Sequence, residues 1–231
     1  MPDESKANTR QTVAIAAAVG ALIGALIARP IIKPWLDAHH SGYSFRDWPV
    51  IVSFLPWVAF SMYWEMQSKN SAPAIKSESK ASRAVHVVLT NLALLLIFWP
   101  IGVLSRRFLP DNLTIKLFGI AAEVAGVSLA IWARRILGRN WSGEITIKEE
   151  HELIRTGPYS TVRHPIYSGL LAMYAGTAIV SGQMHALCGL LVGIVAYLRK
   201  TRMEERNLVN AFGSKYDVYR EETSALVPGL Y

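Results

Sequence analysis

Between His151 and Gly169 the chain reads His-Glu-Leu-Ile-Arg-Thr-Gly-Pro-Tyr-Ser-Thr-Val-Arg-His-Pro-Ile-Tyr-Ser-Gly. Two histidines, two arginines, two tyrosines, two prolines and two glycines stand here between one apolar run and the next. Polar groups beside a membrane are costly to keep unless they pair or bind something. Gly157-Pro158 makes a turn, because glycine takes positive φ freely and proline fixes its own. Pro165 biases His164 away from helical geometry and can itself open a helix, whose free amides suit an anion. The arginines offer paired donors to a carboxylate, and Tyr159 and Tyr167 offer aromatic faces to a ring or a cation.

A second polar run, Arg199-Lys200-Thr201-Arg202-Met203-Glu204-Glu205-Arg206, follows the apolar window 164–198. Those 35 residues would extend roughly 52 Å as one helix, too far for a single crossing of an apolar layer about 30 Å thick. Ser181-Gly182-Gln183 offers a turn near the middle. A helical hairpin would make neighbours of Arg163-His164 and Arg199–Glu204, two walls of one pocket. S-adenosylmethionine would use such walls, with its amino-acid head, ribose diol, adenine ring and sulfonium. Glu204 or Glu205 suits its ribose hydroxyls or amine. A lipid headgroup or a dinucleotide would use the same residues. The bland alternative is that the arginines snorkel, the tyrosines form an interfacial belt and the glutamates balance charge.

The elements that must position these groups are membrane helices. The chain is 52% hydrophobic and 18% charged over 231 residues, and its charges fall between apolar runs rather than inside them. Charge-poor windows at 11–28, 48–64, 84–105, 117–133 (broken by Glu123) and 164–198 predict about six transmembrane helices, the last two a tight hairpin, in an all-α polytopic bundle. With the N-terminus inside, the inner segments carry 18 of the 24 Lys and Arg residues, matching the positive-inside rule. The net charge of +7 thus points to a lipid surface rather than to nucleic acid. Residues 1–114 are expected to hold three spans and their loops, and 115–231 the functional core, ending in an amphipathic tail along the inner surface.

Several features weigh less. Cys188 is the single cysteine, so neither an intrachain disulfide nor a thiolate metal cluster can form. The adjacent His39 and His40 point in different directions and make no metal site. The first span reads as a retained anchor rather than a cleaved signal, with Gly20 and Gly24 as a small-residue face. Glu123 is expected to reach water near the outer end, or to pair with Arg106, Arg107 or Lys116; intramembrane acids also mark function. Residues 65–83 read as a flexible loop. No phosphate-binding loop, dinucleotide fingerprint, HExxH or GxSxG motif occurs, and no strand–helix alternation supports a soluble nucleotide-binding fold.

The run His151-x-Leu153-Ile154-x-x-Gly157-Pro158-Tyr159-x-x-Val162-Arg163-His164-Pro165-x-Tyr167-x-Gly169, with Glu204-Glu205-x-x-Leu208 and Phe212-Gly213-x-x-Tyr216-x-x-Tyr219, resembles the isoprenylcysteine carboxyl methyltransferase family. Leu137-Gly138-Arg139-Asn140-Trp141-Ser142 looks like its bacterial members. The resemblance covers roughly residues 115–231. It implies an integral membrane methyltransferase that moves a methyl group from S-adenosylmethionine to a lipophilic acceptor, with the site and both termini cytoplasmic in a bacterial inner membrane. Carried onto this chain, His151, Glu152, Leu153 and Ile154 would line the cofactor. Tyr159, Arg163, His164, Pro165, Ile166 and Tyr167 would hold it further, and Glu204 and Glu205 would reach it from the hairpin exit. Arg199 would orient the acceptor as the catalytic residue, with Trp141, Lys200 and Arg202 facing the acceptor. The acceptor itself stays open: a prenylcysteine-like carboxylate, a thiol or a lipid headgroup. Sterol reductases share the Arg-His-Pro-x-Tyr element but use NADPH and lack the paired glutamates. A non-catalytic lipid-binding protein on the same scaffold is the other alternative.

Overall fold

In a computed structural model of the chain, residues 48–67, 74–77, 79–141, 146–148 and 153–229 are described. The expected first span, Gly20, Gly24, His39, His40, His151 and Glu152 lie outside the described residues. The elements, in chain order, are α1 (Trp48–Val52), α2 (Phe54–Gln67), β1 (Ala74–Ser77), α3 (Lys80–Phe98), α4 (Leu113–Leu137), β2 (Thr146–Lys148), α5 (Pro165–Ser181), α6 (Met184–Phe212) and α7 (Ser214–Glu222). Short 3₁₀ turns fall at Gly102–Ser105, Gly138–Asn140 and Gly157–Ser160.

Three of these helices, α3, α4 and α6, are long and apolar enough to cross a membrane. Helix α5 is apolar but shorter, at 17 residues. The stretch expected as one span from 48 breaks at Ser53, whose hydroxyl donates to the Val50 carbonyl at 2.8 Å. Prolines at 49 and 56 remove backbone donors on either side of the break. Helix α3 starts at Lys80, capped by the Ser79 hydroxyl. It ends at Phe98 rather than Ser105, because Pro100 disfavours helical geometry at Trp99, which is extended.

The hairpin forms. Gly182 closes α5 with φ of +62°, a left-handed conformation that a side chain resists. Gln183 then leads directly into α6. The connection from α3 to α4 clasps this turn, with Phe108 N donating to the Gly182 carbonyl and Met184 N to that of Arg106. The loop expected at 65–83 instead contributes β1, which pairs antiparallel with β2. Strands of four and three residues are too short to register as alternation in sequence.

Helix α4 lies against α5 with almost no side chain between them. A Cβ on Gly126 would sit 2.5 Å from the Gly169 carbonyl oxygen, and one on Gly119 would sit 2.7 Å from that of Gly176. Each pair of glycines is seven residues apart on its own helix, two turns, so the antiparallel seam closes at both levels. On the other side of α6, Gly189 abuts the α3 backbone at Ala93 and Ile97. The core fills behind these contacts with Ile166, Leu170, Met173, Tyr174 and Tyr197.

Glu123 sits in the seam, at 0% exposure. Among the described residues it meets no arginine: the Thr177 hydroxyl donates to it at 2.6 Å, and Trp57 Nε1 lies 2.9 Å from the same hydroxyl. Ten residues into α4, it lies about 15 Å from the helix start, too deep for Lys116, which pairs with Asp111.

Candidate active site

The hairpin brings the two polar runs together at one end of the bundle. The Tyr167 hydroxyl, on the first turn of α5, donates to Glu204 Oε2 at 2.7 Å. His164 stands just before that turn, its ring parallel to Tyr167 at 5.5 Å between centroids and its Nδ1 3.6 Å from the same carboxylate oxygen. Tyr197 closes the other side of Tyr167 at 5.3 Å. Lys200, one turn before Glu204 on α6, places its Nζ 5.9 Å from the Tyr167 ring centroid.

The neighbouring glutamate is spent on structure. Arg163 Nε donates to Glu205 Oε1 at 2.7 Å, and its Nη1 reaches the carbonyls of Arg220 and Thr223. Arg163 thereby ties α6 to the chain's C-terminal segment. The tie continues along the backbone: Arg163 N donates to the Ser224 carbonyl, His164 N to that of Ala225, and the Ser168 hydroxyl to that of Leu226. Residues 223–226 are thus a strap over the start of α5, with Ala225 and Leu226 buried. The Glu204 side chain keeps 32% exposure against 14% for Glu205. Two adjacent carboxylates therefore differ in role, because 100° of helix rotation separates them.

Beneath the strap, the Tyr219 hydroxyl donates to the Tyr159 carbonyl at 2.6 Å. Burial pushes that hydroxyl up to about 12, with Arg163 and Arg155 pulling the other way, so it stays a neutral donor. Burial, reinforced by the Glu204 charge, also raises Tyr159. His164 Nε2 is buried and lies 3.4 Å from Glu205 Oε1, within ion-pair distance. The Tyr216 hydroxyl is buried and has no hydrogen-bond partner among the described residues.

Of the residues singled out by sequence, Tyr159, Arg163, His164, Pro165, Ile166 and Tyr167 gather around the start of α5, with Glu204, Glu205 and Lys200 opposite. Leu153 and Ile154 are partly buried on the approach to them, Ile154 against the core. Arg199 stands elsewhere. Its guanidinium turns to α3, with Nη2 donating to the Ser82 hydroxyl at 3.0 Å. Arg202 is exposed, on the side of α6 away from Glu204. Trp141 lies under the Arg134 guanidinium at 4.4 Å and edge-on to Trp64. Arg134 itself is buried and donates to the carbonyls of Gly138 and Gln67, pinning the end of α2 to the end of α4. Tyr197 and His86, whose rings meet at 5.6 Å, extend the aromatic wall inward. Neither was legible beforehand, since both look like ordinary residues of an apolar helix.

An apolar helical bundle with a charged, aromatic-walled cluster at one end defines an integral membrane protein. Residues 114–215 match the model of the phospholipid methyltransferase family. Protein-S-isoprenylcysteine O-methyltransferase B of Arabidopsis thaliana is 30% identical over 114 residues, 48% of this chain and 58% of that one. Methanethiol S-methyltransferase 1 of Bradyrhizobium diazoefficiens is 27% identical over 162 residues, 63% of this chain and 54% of that one. The chain thus spans little more than half the length of these relatives. The solved eukaryotic intramembrane Ras methyltransferase covers 78% of this chain and 68% of its own, at 17% identity and a TM-score of 0.47.

Proposed function

We propose that the protein is a membrane methyltransferase that uses S-adenosylmethionine and methylates a lipophilic acceptor: a prenylcysteine-like carboxylate, a thiol or a lipid headgroup. The observation that carries this reading is the Tyr167–Glu204 hydrogen bond, which joins the two legs of the hairpin around a carboxylate left partly open. The relatives' printed activities, on isoprenylcysteine and on methanethiol, support the same reaction class.

The donor set suits the cofactor. Glu204 accepts hydrogen bonds from an amine or ribose hydroxyls, and Tyr167 holds that carboxylate in place. The Tyr216 hydroxyl, buried and without a hydrogen-bond partner among the described residues, awaits a polar partner. No side chain caps the start of α5, so its first amides suit a carboxylate. The bound cofactor supplies an electrophilic methyl group on a sulfonium. A carboxylate or thiolate acceptor is already nucleophilic, so the chain need only align it and exclude water, worth up to about 10⁵–10⁸ M in effective concentration. Lys200, rather than Arg199, is the cation beside Glu204 and Tyr167 that would orient an anionic acceptor. The basic end of the bundle would face the cytoplasm, in a bacterial inner membrane, by the positive-inside rule.

Methyl transfer from labelled S-adenosylmethionine into a lipid extract, with products identified by mass spectrometry, tests this reading. Labelled lipid that disappears in Glu204→Gln and Lys200→Gln supports it. NADPH binding with no transfer would favour a reductase, and neither would favour a lipid-binding scaffold.

A further inference from the structure

Helix α6 has a second charged face, turned away from the cluster. At 100° per residue, Arg199, Arg202 and Arg206 fall within about 60° of one another, and the last two lie about 200° from Glu204. The same stripe runs up the helix through Val195 and Leu191, which are 57% and 54% exposed. On a membrane-crossing helix these exposed apolar residues face lipid. The lipid-facing stripe therefore ends, within one to three turns, in three arginines.

Their neighbours are arranged for a headgroup. Val195, Leu198 and Met203 join the three arginines around a groove of about 420 Å³. Arg199 is held at its side by Ser82 of α3, and the Ser82 hydroxyl also meets Met203 Sδ at 3.4 Å. Arg202 and Arg206 are exposed and, among the described residues, meet no carboxylate within ion-pair distance. Glu205, the nearest acid along the helix, is taken by Arg163. Two guanidinium groups without counter-ions, directly below an apolar surface, match one chemistry: a phosphate carried on acyl chains.

We propose that the Arg199–Arg202–Arg206 face of α6 binds the phosphate of an anionic phospholipid from the surrounding leaflet, at a site separate from the Glu204 cluster. The acyl chains lie along Val195 and Leu191 while Arg202 and Arg206 hold the headgroup. This site does not depend on what the Glu204 cluster methylates.

The full chain, purified in mild detergent, is titrated with phosphatidylglycerol and with phosphatidylcholine, and retained lipid is followed by native mass spectrometry. One tightly held phosphatidylglycerol is expected, with phosphatidylcholine released at the same activation. Each arginine near a lipid surface contributes about fivefold to affinity, so R202Q/R206Q is expected to weaken phosphatidylglycerol about twenty- to thirtyfold. Lys215→Gln, an exposed charge on α7, should change it less than twofold. Retention of the two lipids alike, or an equal loss in the Lys215 variant, would overturn the assignment. So would full displacement of the lipid by millimolar glycerol phosphate, which would assign the face to a soluble anion. Melting temperatures of each variant separate lost binding from lost folding: an R202Q/R206Q chain that melts normally yet keeps wild-type affinity also overturns it.

Discussion

The α4–α5 seam and the polar end of the hairpin are built from opposite materials. In the seam, glycines bring two backbones into contact, and an ionisable group, Glu123, is fully enclosed and hydrogen-bonded by Thr177. At the polar end, arginine, histidine, tyrosine and two glutamates share a space where Glu204 remains partly open. The seam tolerates no added atom, while at the polar end the Glu204 side chain keeps 32% exposure. One region fixes where α5 begins, so that the other can hold its groups at hydrogen-bond distance. Rigid helices position the site better than loops would.

Substitutions that separate the two regions sharpen this contrast. The largest effect is expected in the seam. A Gly126→Val chain must push α5 away from a carbonyl only 2.5 Å from the new Cβ and should lose about 3 kcal/mol, seen as early melting in detergent. Next comes Glu205→Gln, which strips the carboxylate from a nearly buried Arg163 and should cost about 2 kcal/mol, again as melting. Thr177→Val removes the hydroxyl shared by Trp57 and Glu123 and should cost about 1–2 kcal/mol, because a buried carboxyl loses its donor. Smallest is Gly193→Ala, whose Cβ would meet the Tyr174 ring at an ordinary 3.5 Å. Its melting should shift by less than about 0.5 kcal/mol. Equal losses at Gly126 and Gly193 would remove the distinction between a sealed seam and ordinary helix packing.

Much of the arrangement was legible in the chain. Ser181-Gly182-Gln183 announced the hairpin, because a charge-free run of that length cannot cross once, and the hairpin alone makes 163–167 neighbours of 199–205. Three things were not legible. Which cation faces Tyr167 depends on helix phase, and one residue of rotation separates Arg199 from Lys200. The glycine seam does have a signal, glycines seven apart at 119 and 126 and again at 169 and 176, but only pairing the two helices gives it meaning. The strap at 223–226 rests largely on backbone hydrogen bonds to 161–164, which leave little mark in the side chains. Glu123 misled in the other direction: a charge count suggests a basic partner, whereas in the seam, among the described residues, it meets the Thr177 hydroxyl.

In the proposed function Glu204, unlike Glu205, is kept for the ligand. Calorimetry of S-adenosylmethionine binding to the full chain in nanodiscs tests it most directly. Wild-type protein should bind, and Glu204→Gln should bind about tenfold to a hundredfold more weakly, the worth of a charge-assisted hydrogen bond, while melting as the wild type does. A wild-type chain that binds no cofactor, or a Glu204→Gln chain that binds it equally well, would contradict the account.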